Sequence, residues 1–346
     1  MPESHNQTKP DHFNGISLLI PIFNEQHGIP DLWQSLEKTA ASIDEAVEIV
    51  FVDDGSTDNS LEQLKALKSP HLEQQIIAFS RNFGKEAAMT AGLRHCRGQA
   101  IIILDADLQD PPELIPAMLE QWHKGFDVVN MRRKQRHGET WFKKLSAKAF
   151  YRFINHLSED SIPENVGDFR LLSARVVDSI NRLPERNRFM KGILAWPGFK
   201  QTTLEFDRPQ RELGDSKWNI SQLVALAVDG ITSFSTKPLR LATWLGLSTA
   251  MFAIIYATWV VVKTLVYGES VAGYPTLMIT LLFSSAIQLI ALGVIGEYLA
   301  RVFIEVKQRP IYQVAEHHHE QPLVSITERQ PVSPVPTSST TSNSDN

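Results

Sequence analysis

The run Ile101-Ile-Ile-Leu104-Asp105-Ala106-Asp107-Leu-Gln109-Asp110-Pro-Pro-Glu113 passes abruptly from apolar residues to alternating acids. A buried strand ending here delivers Asp105, Asp107 and Gln109 as hard oxygen donors to the carboxyl edge of a sheet, where open α/β sheets bind their ligands. Such a set suits a divalent cation holding a diphosphate; taken alone, it also fits a solvated turn. Two earlier strand ends carry polar clusters as well. Pro21-Ile-Phe-Asn24-Glu25 puts a strand-ending proline before donors and acceptors suited to a base or ribose, although taken alone a simple loop explains it better. Val52-Asp53-Asp54-Gly55-Ser56 puts two carboxylates before a glycine. An ordinary turn accounts for Gly55 and Ser56 but requires no pair of acids. Arg81 and Lys85, in Ser80-Arg81-Asn-Phe-Gly84-Lys85-Glu86, stand at a helix start where a phosphate is favoured; a surface ion pair is the alternative.

These residues need a scaffold that lines up strand ends. Short β-branched runs at 16–22, 48–52, 75–79, 100–104 and 127–131 alternate with helical patterns at 29–42, 59–67, 85–95 and 112–123. That alternation predicts an α/β fold with a doubly wound, mainly parallel sheet. Further helices are expected at 141–154 and 173–183, and 189–201 reads as a less regular lobe on the acceptor side. No dinucleotide fingerprint, P-loop or nucleophile elbow occurs, which disfavours dehydrogenases, phosphate-hydrolysing motors and serine hydrolases of that type.

The chain has 346 residues, 43% of them hydrophobic, and a net charge of −5 that argues against a nucleic-acid partner. A single cysteine, Cys96, forms no intramolecular disulfide, which suits a reducing compartment. Residues 1–14 are polar and lack the apolar core of a cleaved signal peptide, so they read as a disordered N-terminus. Residues 241–266 and 274–303 are long apolar runs that meet the ~20 residues needed to cross a bilayer. Lys237 and Arg240 precede the first run and Arg301, Lys307 and Arg309 follow the second, whereas the short loop between them carries only Glu269. By the positive-inside bias, both outer ends and the globular domain at 15–215 are expected to be cytoplasmic, with the two runs integral to the membrane. Residues 216–240 suit a juxtamembrane amphipathic region or a core helix. The polar segment 304–346, which includes His317-His-His319, is expected to be mostly disordered.

Together these motifs resemble inverting family 2 glycosyltransferases of the GT-A fold. Gly167-Asp168-Phe169-Arg170-Leu171, Pro184-Glu-Arg-Asn-Arg188-Phe-Met-Lys191-Gly192, Gly214-Asp-Ser-Lys217-Trp218 and Asp229-Gly-Ile-Thr-Ser-Phe-Ser235 narrow the resemblance to polyprenyl-phosphate glycosyltransferases, in particular the bactoprenol glucosyltransferase group. The resemblance implies a donor nucleotide held by Pro21, Asn24, Glu25, Asp53, Asp54, Arg81, Lys85, Asp105 and Ala106. It implies Mg²⁺ or Mn²⁺ on Asp105, Asp107 and Gln109. Arg133, Arg136, Arg170, Arg211 and Lys217 are implied to receive the acceptor phosphate, with Asp107 and Asp168 catalytic. Asp168 stands where the family's candidate base lies, but a phosphate monoester with a second pKa of ~6 hardly needs one, so a positioning role is equally open. The implied reaction moves one hexose, glucose from UDP-glucose first, to undecaprenyl phosphate. Mannose, an N-acetylhexosamine or aminoarabinose are alternatives, as is a catalytically silent membrane scaffold. A homo-oligomer is compatible with the sequence.

Overall fold

The computed structural model describes residues 13–134, 166–186, 188, 190–194, 196–207, 237–267 and 273–320. Strand β1 (Gly15–Ile22), helix α1 (Ile29–Ala40), β2 (Ala46–Asp53), α2 (Ser60–Ala66), β3 (Leu72–Phe79), α3 (Lys85–His95) and β4 (Ala100–Ile103) follow the predicted alternation. Next come α4 (Ile115–His123), β5 (Val128–Arg133), β6 (Val166–Ser173), α5 (Ala174–Asn181), the single turn α6 (Met190–Ile193) and β7 (Gln201–Phe206). Two long helices, α7 (Lys237–Tyr267) and α8 (Tyr274–Lys307), precede a last strand β8 (Val314–Glu320). The expected helix at 141–154 and the juxtamembrane region at 216–236 lie outside the described residues.

The strands form one eight-stranded sheet in the order β7-β5-β6-β4-β1-β2-β3-β8. The pairs β1/β2, β1/β4, β2/β3 and β5/β7 are parallel, whereas β6 runs antiparallel to both β4 and β5, and β8 antiparallel to β3. The central strands read as continuous apolar runs because both their faces are covered. Leu18, Ile20 and Ile22 of β1 pack with α1 and α4 residues in one core, while Leu19 joins Val50, Ile77 and the buried face of α3 in the other. α3 lies close to the sheet because its buried positions are small: Ala87, Ala88, Ala91 and Gly92. At Gly92 a Cβ would stand 1.9 Å from Leu19 Cδ1.

At the amino edge of the central strands, Glu48 is fully buried and accepts hydrogen bonds from Ser17 Oγ at 2.5 Å, Arg97 Nε at 2.7 Å and Gln75 Nε2. One buried carboxylate thereby ties β1, β2, β3 and the α3–β4 connection together, with its charge met by Arg97.

The segment 189–201 holds the single turn α6 and leads into β7, and Gly167–Leu171 lies in β6. One expectation requires correction. The polar stretch 314–320, expected to be disordered, is the edge strand β8. Its composition forbids a core but not an edge strand, which needs only a ladder and a few side-chain ties. Those ties are present: Lys65 to Glu316 at 2.8 Å, Lys68 to Glu320 at 3.2 Å and His319 to Glu73 at 2.5 Å. His318 and Lys65 hold the Glu316 carboxyl down to about 2. Tyr312, just before the strand, stacks on Phe79 at 5.0 Å.

α7 and α8 pack against each other and are long and apolar enough to cross a membrane, over Leu239–Tyr267 and Ile279–Lys307. None of their most apolar stretch is buried within the protein, so a bilayer is the environment that suits these surfaces.

The close seating of α3 makes a direct prediction. Gly92→Val is expected to lower stability by about 1–3 kcal/mol through overpacking against Leu19, read as a fall in the unfolding midpoint of the detergent-solubilised chain.

Candidate active site

Because β1, β2 and β4 are parallel, their carboxyl ends open on the same edge, and the loops that follow are bonded to one another. Asp54 N–H donates to the Ile22 carbonyl at 2.8 Å, Thr57 N–H to Asn24 Oδ1 at 2.8 Å, and Glu25 N–H to Ser60 Oγ at 2.9 Å. Asn24 adopts a left-handed conformation, φ 54°, which asparagine tolerates better than most residues. Its carboxamide oxygen is therefore spent on the loop, which makes Asn24 a residue that shapes the site.

The two aspartates after β2 do different work. Asp54 accepts the backbone N–H groups of Phe83, at 2.6 Å, and Gly84, at 2.9 Å, and so anchors the loop that starts α3. Burial raises its pKa, against the pull of those two amides. Asp53 is 1% exposed; its Oδ2 accepts Ser56 N–H at 3.2 Å, and its buried Oδ1 has no partner. Burial raises its pKa too, with Ser56 opposing. An orphaned buried acceptor is costly unless a ligand supplies a donor. Gly55 is required between this loop and the next: its φ is +66°, and a Cβ there would stand 2.3 Å from the Arg81 carbonyl carbon.

The anchored loop delivers Lys85 to the centre of the site. Its Nζ lies 2.5 Å from Asp105 Oδ1 and 2.7 Å from Asp168 Oδ2. Burial pulls the ammonium's pKa down, but the two carboxylates outweigh it and raise the pKa above the usual lysine value. Asp168 arrives through the antiparallel insertion of β6: Ile103 of β4 is opposite Arg170, and the same register carried two residues on sets Asp168 against Asp105. Lys85, predicted either to meet a phosphate or to form an ion pair, forms the ion pair, and it does so inside the site.

The turn after β4 is itself held by acids. Asp110 Oδ2 accepts Asp105 N–H at 3.3 Å and Asp107 Oδ1 accepts Gln109 N–H at 3.1 Å, across Leu108, whose φ of 56° is strained for a leucine. A cavity of about 260 Å³ opens over these elements. It is lined by Pro21, Glu25, Asp54, Lys85, Asp105, Ala106 and Asp107 among others.

Seven of the sequence-predicted residues thus meet at one cavity, and Asp53 and Asn24 stand beside it. Gln109 is buried and reaches Asp107 through its backbone N–H. Arg81 is turned outward over the Phe83 ring, 4.0 Å from its centroid. Arg133 passes over Gly167, where a Cβ would stand 3.6 Å from Nη2, close to Asp168. Arg170 differs from its expected place on an acceptor surface: it is 4% exposed and donates through Nη2 to the Gly167 carbonyl at 2.7 Å, because its position on β6 points it beneath the strand end. Arg136, Arg211 and Lys217 lie outside the described residues.

Among the described residues no cluster of three or more His, Cys, Asp or Glu side chains is gathered as a metal cage. Asp105 and Asp107 nevertheless line one cavity, and a cationic ammonium already occupies the position between Asp105 and Asp168. Two carboxylates with substrate phosphates completing the shell is the usual manner of binding Mg²⁺, so the donor set fits.

An α/β sheet with acidic strand ends over one cavity suits an enzyme that binds a polar ligand at the sheet edge, and the pair of apolar helices that follows is long enough to cross a membrane. Residues 17–180 match the model of Glycosyl transferase family 2, and residues 237–302 match that of the GtrB C-terminal hairpin. The chain belongs to the family 2 glycosyltransferases. It is 46% identical over 301 residues to an uncharacterized glycosyltransferase of Synechocystis sp., covering 87% of this chain and 95% of that protein. It is 45% identical over 307 residues to the bactoprenol glucosyl transferase of Shigella phage SfII, covering 89% and 99% respectively. A prophage bactoprenol glucosyl transferase homolog of Escherichia coli is 46% identical over 297 residues, covering 86% and 97%.

The requirement for glycine between the two loops is testable. Gly55→Ala is expected to cost at least about 1 kcal/mol and to weaken nucleotide binding, because the Arg81–Asn82 backbone that leads to Lys85 must move; thermal unfolding and titration with a nucleoside diphosphate check both.

Proposed function

We propose that the chain transfers one hexose, glucose from UDP-glucose, to the phosphate of undecaprenyl phosphate at the cytoplasmic face of the inner membrane. The observation that carries this reading is the cavity in which Lys85 joins Asp105 to Asp168, beside Asp107 and the orphaned oxygen of Asp53. The relatives named bactoprenol glucosyl transferase, matched along nearly their whole length, support the acceptor and the sugar. Lys237 and Arg240 in the first turn of α7, with Arg301 and Lys307 near the end of α8 and Arg309 just beyond it, support a cytoplasmic placement of both outer ends.

In this reading the nucleoside lies against Pro21 and Glu25, with a base N–H donating to Asp53 Oδ1. Asp105 and Asp107 would hold a divalent cation, Mg²⁺ or Mn²⁺, which would supply Lewis-acid stabilisation to the departing diphosphate. An oxygen of the lipid phosphate attacks the anomeric carbon, the bond from that carbon to the diphosphate oxygen breaks, and the electron pair leaves with UDP. The displacement inverts the α-linked donor to a β-linked product. Lys85 keeps Asp105 and Asp168 from repelling the incoming anion, and Arg133 offsets charge between the two substrates. Since the acceptor is largely dianionic at neutral pH, Asp168 positions Lys85 and the acceptor without taking a proton.

The deciding experiment is incubation of membranes carrying the chain with undecaprenyl phosphate and a panel of nucleotide sugars, with and without chelator, reading lipid products by mass. UDP-glucose is expected to give a single hexosyl lipid that chelator abolishes; a product only with another sugar would replace the donor, and no product with any donor would end the reading. Asp107→Ala is expected to lower kcat by on the order of 10²-fold or more while leaving the fold intact. Asp168→Asn is expected to slow transfer yet keep an acidic limb in the pH profile set by the acceptor phosphate at ~6. Loss of that limb in the variant would make Asp168 a base.

A further inference from the structure

A second cavity, of about 420 Å³, lies where the end of α8 meets the catalytic domain. Arg186, Arg188, Lys307 and Arg309 bring four cations to it, and Glu86 the lone carboxylate. Its remaining walls include Phe83, at the start of α3, and Phe303 and Ile304, in the last turns of α8. The combination of a cationic end and an apolar wall at the foot of a membrane-crossing helix suits an amphiphile with an anionic head.

Arg188 gives the independent indication of a ligand. It is 7% exposed, its Nη1 and Nη2 donate only to the main-chain oxygens of Ile180, at 3.3 Å, and Leu183, at 2.7 Å, and its buried Nε has no partner. A buried guanidinium whose direct partners are carbonyl dipoles alone is short of a contacting anion. Burial and then the nearby Arg94 lower its pKa against the weaker pull of Glu185 and Glu305, and an anion in the cavity would add to that pull. A phosphate monoester brings close to two charges and three strong acceptor oxygens, a match for guanidinium forks and an ammonium.

The cavity is preformed. Arg186 N–H donates to Glu305 Oε1 at 2.8 Å and its Nη1 to the Arg309 carbonyl at 2.5 Å, which fastens the catalytic domain to the end of the span. Glu86 accepts Met190 N–H at 2.9 Å and so braces the opposite wall. The first turn of α3 is shared with the donor cavity: Gly84, Lys85 and Ala88 line that one, whereas Phe83, Glu86 and Ala87 line this one.

We propose that this cavity is an entry site for the headgroup of a lipid phosphate monoester, which holds the acceptor at the membrane edge before its phosphate passes the first turn of α3 to reach the donor cavity. The identity of the lipid rests on the transfer reading above; the site itself rests on Arg188 and its neighbours. Binding tests it in the full chain reconstituted in phosphatidylcholine nanodiscs, with farnesyl phosphate as the probe and phosphatidylglycerol and inorganic phosphate as competitors. Lys307→Ala with Arg309→Ala, both at exposed positions, is expected to weaken farnesyl phosphate binding at least about fivefold and to leave UDP binding unchanged. Arg240→Ala, which removes an interfacial charge from the other span, is expected to change neither. Unaltered farnesyl phosphate binding in the double variant would overturn the proposal, as would an equal loss in Arg240→Ala. Equal competition by inorganic phosphate, marking a simple anion site, or by phosphatidylglycerol, marking a structural phospholipid site, would overturn it as well. Failure here and failure of the transfer reading are distinguishable. Sugar transfer with an acceptor KM untouched by the double variant removes the site alone, and farnesyl phosphate binding by a chain that makes no lipid-linked sugar removes the transfer reading alone.

Discussion

The ammonium of Lys85, lodged between Asp105 and Asp168, is the contact around which the active edge is organised. Parallel strands that end together bring their terminal acids together, and Asp53, Asp54, Asp105, Asp107 and Asp168 would repel one another if left alone. Each is met in a different way. Asp54 takes two backbone amides, Asp53 takes Ser56, Asp107 takes Gln109, and Asp105 and Asp168 share the ammonium. A diphosphate would add further negative charge to the same edge. On the proposed reading, cationic help, from Lys85 and from an ion that the two cavity-lining aspartates would hold, is therefore a condition of donor binding and not an ornament to it.

Several otherwise unrelated features follow from the need to put one ammonium in that place. Asp54 draws Phe83 and Gly84 inward, Gly55 makes room for the Arg81–Asn82 backbone, and the small residues of α3 let the helix that carries Lys85 settle on the sheet. β6 runs against its neighbours, which breaks the parallel order but sets Asp168 opposite Asp105. The antiparallel strand is thus the topological means of importing an acid from a distant part of the chain.

The strands and helices up to β5 were legible because each is covered on both faces, and a covered parallel strand writes itself as an apolar run. The acidic ends were legible for the complementary reason: nothing in Ile101–Leu104 prepares for Asp105 and Asp107 unless the chain reaches a ligand edge. What sequence could not show was pairing between distant segments. Lys85 carried two readings until β6 put Asp168 within its reach, and the motif around Asn24 did not show that Thr57 takes its side-chain oxygen. Arg170 was placed by motif, whereas both faces of β6 are covered from Phe169 to Ser173, which buries it. β8 was hidden because an edge strand buries almost nothing, so composition says little about it; only the spacing of Glu316 and Glu320, four apart, against Lys65 and Lys68 hinted at a partner. Arg186 and Arg188 stood inside a recognised motif without an assigned task, since a buried cation becomes conspicuous only when its surroundings are known.

The two spans sit at a telling point in the topology. β7 and β8 are the opposite edges of the sheet, and α7 and α8 lie between them in the chain. The segment leaving the membrane is not left to trail. Arg186 grips Glu305 and the Arg309 carbonyl, Ser80 N–H donates to the Gln313 carbonyl at 3.0 Å, and β8 then adds itself to β3. Ser80 opens the same loop that ends in Lys85, so the strap from the second span is bonded within five residues of the ammonium at the centre of the site. On the proposed reaction a lipid substrate would arrive at a height fixed by the bilayer, and a loosely tethered domain would meet it at many heights and angles. Fastening α8 to the loop that positions Lys85 removes that freedom in advance, which is the saving in orientation entropy that a transfer between a soluble donor and a membrane-bound acceptor would most need.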